Sequence, residues 1–291
     1  MTQADARPDS NACEPKASPF LKWVGGKRQL LAEIQKRAPK QFNRYFEPFL
    51  GGGSVLFSFL PDEPTINDIN PHLINAYTQI KDNPAQLIAE VQAIDATDCT
   101  KDYYLSIREK YNNKIASNEL DAECAALMIW LNKHCFNGVY RVNSKGLFNV
   151  PYNHAKNVQT IVPDNIRAIS SYLNKSNAVI LNGDFEAACE NVQKGDFVYF
   201  DSPYIPVSDT ANFVDYTKDG FSYENHVRLA KLFRKLDKKG AKLMLSNNNV
   251  PLVYELYDGF NIAPVDARRS VNRNSNGRTG KEVIITNYEQ E

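Results

Sequence analysis

Asp201, Ser202, Pro203 and Tyr204 follow directly on an apolar run, Phe197 to Phe200, whose aromatic bias suits a β-strand. A carboxylate, a small residue, a proline and an aromatic at a strand end make a rigid turn at the lip of a sheet. Such a turn sets two acceptors side by side, the Asp201 carboxylate and the Ser202 carbonyl, next to the ring of Tyr204. The exocyclic amine of a base such as adenine is a poor nucleophile, because its lone pair is delocalised into the ring. Two acceptors can take its hydrogens and favour the positive charge that grows as it attacks. Pro203 fixes the turn, and Tyr204 offers a face on which an extruded base can stack. A plain β-turn with a proline accounts for most four-residue matches of this kind, so the neighbouring segments have to decide.

Two segments upstream bear on that choice. Phe46 to Ser54 reads FEPFLGGGS, a strand running into three glycines and then a helix, and Asp68 ends the next short strand. A glycine turn lets backbone approach a ligand closely, and an acid at the second strand end can accept hydrogen bonds from ribose hydroxyls. The spacing is shorter than the dinucleotide fingerprint, and three glycines alone could be only a tight turn. Phe20 to Gln29 reads FLKWVGGKRQ. Arg28 stands where a phosphate loop requires Ser or Thr, which argues against an NTPase. Trp23, beside two glycines and Lys27, could cover an aromatic ligand while the lysine binds a carboxylate; an ordinary core tryptophan fits the local sequence as well.

A third group of residues suits nucleic acid. From Ile129 to Pro163 there is no Asp or Glu, whereas Lys133, Arg141, Lys145 and Lys156 are positive. Within the loop Lys133 to Asn153, Arg141 can bond a guanine through O6 and N7. Phe136 can wedge into a base stack while Asn137 fills the gap. Ala267 to Glu282 carries four arginines and a lysine among Asn, Ser and Gly, and reads as a surface hairpin suited to phosphates.

The elements that must carry these residues alternate strand and helix. Helical spacing spans Lys27 to Ala38, a strand Arg44 to Phe49, a helix Ser54 to Leu60, and a strand Thr65 to Asp68. After Pro71 the chain turns helical as far as Asn132. Strand-like sequence returns at Ala178 to Asn182, Asp196 to Asp201, Ala241 to Asn247 and Lys281 to Tyr288, with a helix at Tyr223 to Lys238. This pattern describes an α/β domain with a parallel sheet, interrupted by a mainly helical insertion.

Composition sets outer bounds. The 291 residues are 43 % hydrophobic, enough for a sizeable core. Lys plus Arg and Asp plus Glu each number 34, so total charge argues mildly against nucleic acid and only the local segregation favours it. Five scattered cysteines without CxxC spacing suit a reduced cytoplasm and argue against a disulfide framework or a zinc site. Residues 1–17 are polar and read as a disordered tail rather than a signal peptide, and no apolar run is long enough to span a membrane. A clustered set of carboxylates with a lysine, as a metal-dependent nuclease needs, is not evident.

Taken in order, FLKWVGGK, FEPFLGGG, IND, FNGVYRVNSKGLFNVPY, GDF, DSPY and RRSVNRNSNGRTGKE resemble the Dam-type family of adenine-specific DNA methyltransferases, the D12 class, alpha group. The match runs from about Ser18 to Tyr288. The resemblance implies an α/β fold: a Rossmann-like S-adenosylmethionine-dependent methyltransferase domain with an inserted mainly helical DNA-recognition domain. It divides the chain into catalytic segments 18–75 and 176–291 and a recognition domain 76–175, with the reading hairpin at 133–153. S-adenosylmethionine would be the methyl donor, with no metal, and double-stranded DNA the partner of a monomeric cytoplasmic enzyme.

By motif position, Trp23, Lys27, Phe49, Gly51, Gly53, Asp68, Asp184 and Asp201 would contact the donor. Asp201, Ser202, Pro203 and Tyr204 would be catalytic. Phe136, Asn137, Val139, Arg141, Pro151, Arg268, Arg269 and Asn272 would contact DNA, with GATC as the implied site. The family pattern has proline where Ser202 stands, but the role there belongs to the backbone carbonyl. Related enzymes that methylate RNA or a protein glutamine, and a DNA-binding regulator without activity, are the alternatives. Asp at position 201 and the large insertion oppose the first, and the intact DSPY and donor loop oppose the second.

Overall fold

The computed structural model describes residues 16–27, 29–155, 157–206, 221–268 and 279–289, with backbone alone at 266–268 and 279–281. Its strands are β1 (Tyr45–Glu47), β2 (Pro64–Asp68), β3 (Val179–Asn182), β4 (Phe197–Phe200), β5 (Lys242–Asn248), β6 (Asn261–Arg268) and β7 (Thr279–Thr286). They form one seven-stranded sheet in the order β3-β2-β1-β4-β5-β7-β6. Strands β1 to β5 pair in parallel, while β7 runs antiparallel to both β5 and β6. From β1 the chain steps outward to β2 and β3, then returns to lay β4 on the other side. That reversal between β1 and β4 opens a crevice at the carboxyl ends of the strands, where α/β sheets bind ligands.

Apolar residues on both faces explain why the central strands sit where they do. Every residue of β1 and β4 is buried. In β4 the ring of Tyr199 joins Phe197 in one apolar cluster, while Val198 and Phe200 join another on the opposite face. A strand buried on both sides reads as a continuous apolar run, as FVYF does.

Between β2 and β3 the chain forms α3 (Pro71–Asp82), α4 (Pro84–Asp95), α5 (Lys101–Ala116), α6 (Ala122–His134) and α7 (Pro163–Lys175). Asn70, Thr100 and Asp121 cap the starts of α3, α5 and α6 with their side chains. Helix α6 is buried almost all round, with Trp130 only 1 % exposed, so its neighbours wrap it as a central rod. One apolar cluster runs from Ile34 and Tyr45 beside the sheet through Leu87, Tyr104 and Trp130 to Ile169. The helical layer is therefore continuous with the sheet's own core. Between α6 and α7 lies a short hairpin closed by bridges Cys135 to Tyr152 and Val142 to Phe148.

The remaining helices are α1 (Leu31–Arg37), α2 (Leu56–Phe59), α8 (Phe185–Ala188), α9 (Tyr223–Lys238) and α10 (Pro251–Leu256). Helices α1 and α2 are shorter than their spacing predicts. A turn in which the Leu30 N–H donates to the Lys27 carbonyl at 2.8 Å precedes α1, and Leu60 adopts a left-handed conformation that ends α2 before Pro61. Strand β6 is a departure from the sequence reading. Its Pro264 and polar residues mask a strand signal, but β6 lies at the sheet edge, where proline is tolerated. The polar tail expected at 1–17 falls outside the described residues except for its last two. Ala17 is buried in the core, and the Ser18 backbone N–H donates to Asn165 Oδ1 at 2.9 Å, so packing begins before residue 18.

Candidate active site

Three loops at the carboxyl ends of β1, β2 and β4 meet the N-terminal Trp23–Lys27 turn around one cleft of about 540 Å³. That size lies within the range for small-molecule sites. Two further apolar side chains, Val24 and Ile69, stand 72 % and 73 % exposed at the lining, which leaves them available to cover an apolar ligand surface.

The glycine loop after β1 is built to let chains approach. Gly51 and Gly53 both have positive φ, at 51° and 67°. A Cβ on Gly51 would stand 2.9 Å from Trp23 Cδ1, and one on Gly53 would stand 2.6 Å from the Tyr77 hydroxyl. Only glycine fits both the conformation and the space. Asp68, ending β2, accepts the Gly51 N–H at 2.9 Å on one carboxylate oxygen and the Asn70 N–H at 2.9 Å on the other. The carboxylate thus ties the β1 and β2 loops together and keeps lone pairs for a ligand hydroxyl. Burial pushes its pKa up, against the pull of those backbone donors.

Asp201 stands just beyond β4. The Lys27 ammonium donates to Asp201 Oδ1 at 2.6 Å and to the Gly25 carbonyl at 2.6 Å, and lies 4.5 Å from the centre of the Tyr204 ring. Burial raises the Asp201 pKa, and the neighbouring lysine opposes that rise. Ser246 of β5 also donates to Asp201 Oδ1, at 3.4 Å, and shares a 2.9 Å hydrogen bond with Tyr199. An N–H donor thus rests on the carboxylate and over an aromatic face, the two contacts an arylamine would make in the same place.

Glu47 is a participant that the motifs did not single out. It ends β1, is 2 % exposed, lines the cleft and accepts the Tyr45 hydroxyl at 2.8 Å. Burial lifts its pKa to about 8, so its carboxyl is mostly protonated at neutral pH. An acid inside an otherwise apolar strand was the available signal. Ser246, which touches Asp201, was legible only as a residue of another strand, and Glu282, which touches Tyr204, only as the end of the arginine-bearing segment and the start of a strand.

The structure brings together Trp23, Lys27, Phe49, Gly51, Asp68, Asp201, Ser202, Pro203 and Tyr204 in the one cleft. Gly53 lies behind it, buried against Tyr77. Asp184 is not among the lining residues: it caps α8 through the Glu186 N–H and pairs with Arg228 at 2.9 Å. Phe49 stacks on Phe185 with ring centres 5.3 Å apart, and Phe221 meets both rings.

The hairpin touches the cleft's wall from the other side. Trp23 stacks on Tyr140 at 5.7 Å, and the Asn132 side chain bonds the Lys22 backbone N–H and carbonyl as well as the Gly138 carbonyl. On the hairpin, Phe136, Asn137, Arg141 and Pro151 are exposed and Val139 is half-buried. Arg141 Nε donates to Asn149 Oδ1 at 2.8 Å, which orients the guanidinium. Arg268 has its backbone in β6, whereas its side chain, Arg269, Asn272 and Lys156 lie outside the described residues. No group of three or more His, Cys, Asp or Glu among the described residues could hold a metal ion, and no described helix is long and apolar enough to cross a membrane.

Residues 23–271 match the family of D12 class N6 adenine-specific DNA methyltransferases. A type II methyltransferase of Lactococcus lactis subsp. cremoris, M1.LlaDCHI, is 48 % identical over 93 % of this chain and 95 % of its own. The type II methyltransferase M.MjaIII of Methanocaldococcus jannaschii is 41 % identical over 94 % of this chain and all of its own. A DNA adenine methylase of Haemophilus influenzae is 33 % identical over 96 % and 97 % of the two chains.

Proposed function

The chain belongs to the D12 class of N6 adenine-specific DNA methyltransferases, and from that premise we propose that it methylates the exocyclic amine of adenine in double-stranded DNA. The proposed donor is S-adenosylmethionine and the proposed site GATC, the latter implied by the resemblance of the reading hairpin. The observation that carries this reading is the Lys27 ammonium resting on Asp201 and over Tyr204, in the same cleft as the glycine loop and Asp68.

S-adenosylmethionine, when bound, supplies an electrophilic methyl group on a cationic sulfur. The cleft's glycine loop, Trp23 and Asp68 are suited to hold it, with Ile69 and Val24 able to cover apolar parts. The chain's own residues then do the rest. The target base, turned out of the duplex, stacks on Tyr204 and displaces the lysine ammonium from Asp201. Its amine donates to the Asp201 carboxylate and the Ser202 carbonyl, which aligns the nitrogen lone pair and favours the growing positive charge. Lys27, freed from Asp201, keeps the Gly25 carbonyl as a partner.

In this reading 18–75 with 176–291 form the catalytic unit and 76–175 the recognition unit of a monomer. Phe136, Asn137, Val139, Arg141 and Pro151 meet the bases, while Arg268, Arg269 and Asn272 meet phosphates. The test is purified protein with labelled S-adenosylmethionine and unmethylated plasmid, followed by mapping of modified adenines. Methyladenine confined to GATC is the expected result. Another motif would keep the chemistry and overturn the site, and absence of transfer to DNA would overturn the reading.

A further inference from the structure

Tyr204 is held at both ends. Its ring face lies under the Lys27 ammonium, 4.5 Å away, and its hydroxyl donates to Glu282 Oε2 at 2.8 Å, a contact spanning 78 residues of chain. Burial, with Asp201 and Glu282 nearby, pushes the phenol far above its usual range, so it remains a proton donor at any working pH. Glu282 belongs to β7, directly across from Asn248 of β5 and Val265 of β6. The next residue of the turn, Ile205, is clamped by β5. Its N–H donates to Asn247 Oδ1 at 3.0 Å, and its carbonyl accepts from Asn248 Nδ2 at 2.7 Å.

A tyrosine ring fixed only by its Cα–Cβ stem can swing about χ1, and any swing tilts the face on which a base rests. An acceptor on the far hydroxyl removes that freedom, since a swing would leave a largely buried hydroxyl without its partner. We infer that Glu282 is a positioning residue for the transfer reaction, one that holds the Tyr204 ring square to Asp201 by accepting its hydroxyl. The antiparallel β7 thereby sets the angle at which the target base meets the carboxylate. This inference rests on the proposed adenine methylation.

The test is a double-mutant cycle of Glu282→Ala and Tyr204→Phe, with Glu282→Gln as the conservative variant, on full-length protein. Each single change should lower kcat about tenfold with KM for donor little changed, and the double variant should be no worse than the poorer single. E282Q, which keeps an acceptor, should recover most of the loss. With 2-aminopurine at the target position, E282A and Tyr204→Phe should leave the extruded base more fluorescent than wild type, because stacking on the ring is looser. Multiplicative effects in the cycle, or an E282A enzyme with normal kcat and fluorescence, would overturn the positioning role alone. Wild-type protein that transfers no methyl group to DNA would overturn the proposed function, and the inference with it.

Discussion

Lys27 and Asp201 pair at 2.6 Å, each side chain at most one fifth exposed, so neither could be removed without leaving a buried charge uncompensated. Asp201→Ala is nonetheless expected to fold, because its loss falls at the cleft rather than in either apolar cluster. Methyl transfer should drop at least about a hundredfold while DNA affinity changes little, as removal of a transition-state acceptor requires; retained turnover in a filter assay would move catalysis elsewhere. Glu47 gives a second test. Its pKa rises from 4.5 to about 8 on folding, so the native state holds its proton more tightly than the unfolded chain does. Its contribution to stability is fully present below pH 4.5 and is lost as pH rises through about 8, at a slope of at most about 1.4 kcal/mol per pH unit. Urea unfolding of wild type and Glu47→Gln at pH 5 and pH 8 should show wild type losing ground relative to the variant at the higher pH. An unchanged difference would mean the carboxyl is ionised in the folded protein.

The glycine loop and the hairpin are tested as elements. In Gly53→Ala the new methyl would meet the Tyr77 hydroxyl at 2.6 Å and Phe57 at 3.0 Å, at a φ of 67°. Overpacking and strain together should lower stability by about 2 kcal/mol, read as a shift in the urea midpoint without a change in slope. The hairpin is fastened by Asn132 and by Tyr104, whose hydroxyl donates to the Val150 carbonyl at 2.8 Å, so its exposed residues can change without loosening it. Arg141→Ala should therefore cost about 1–3 kcal/mol at sites carrying that guanine and so relax the preference there, rather than slow transfer uniformly at every site. An unaltered site preference in a competition assay would assign that base to another hairpin residue.

At the scale of the whole molecule, one apolar cluster joins the sheet to the helices inserted after β2. Trp23 on Tyr140, and Asn132 between Lys22 and Gly138, carry the same continuity to the surface of the cleft. Heat should unfold the protein in a single cooperative transition, with calorimetric and van't Hoff enthalpies equal. Two resolved transitions would mean that the helical layer holds a core of its own.

Much of this was legible in the residues themselves. A strand that is apolar on both faces, such as Phe197 to Phe200, has to lie inside a parallel sheet, and an acid directly after it has to stand at the sheet's lip. The glycines at 51 and 53 declare their role locally, because backbone conformation depends on near neighbours. What sequence alone left open were contacts between segments far apart in the chain. Tyr204 meets Glu282 across 78 positions, Ser246 meets Asp201 across 45, and Lys22 meets Asn132 across 110. The edge strand β6 was hidden as well, since a proline-bearing strand is stable only where a sheet ends. Local pattern determined which elements form and which residues could do chemistry; the order of strands in the sheet decided which of them meet, because a side chain's partners depend on distances in space that periodicity does not encode.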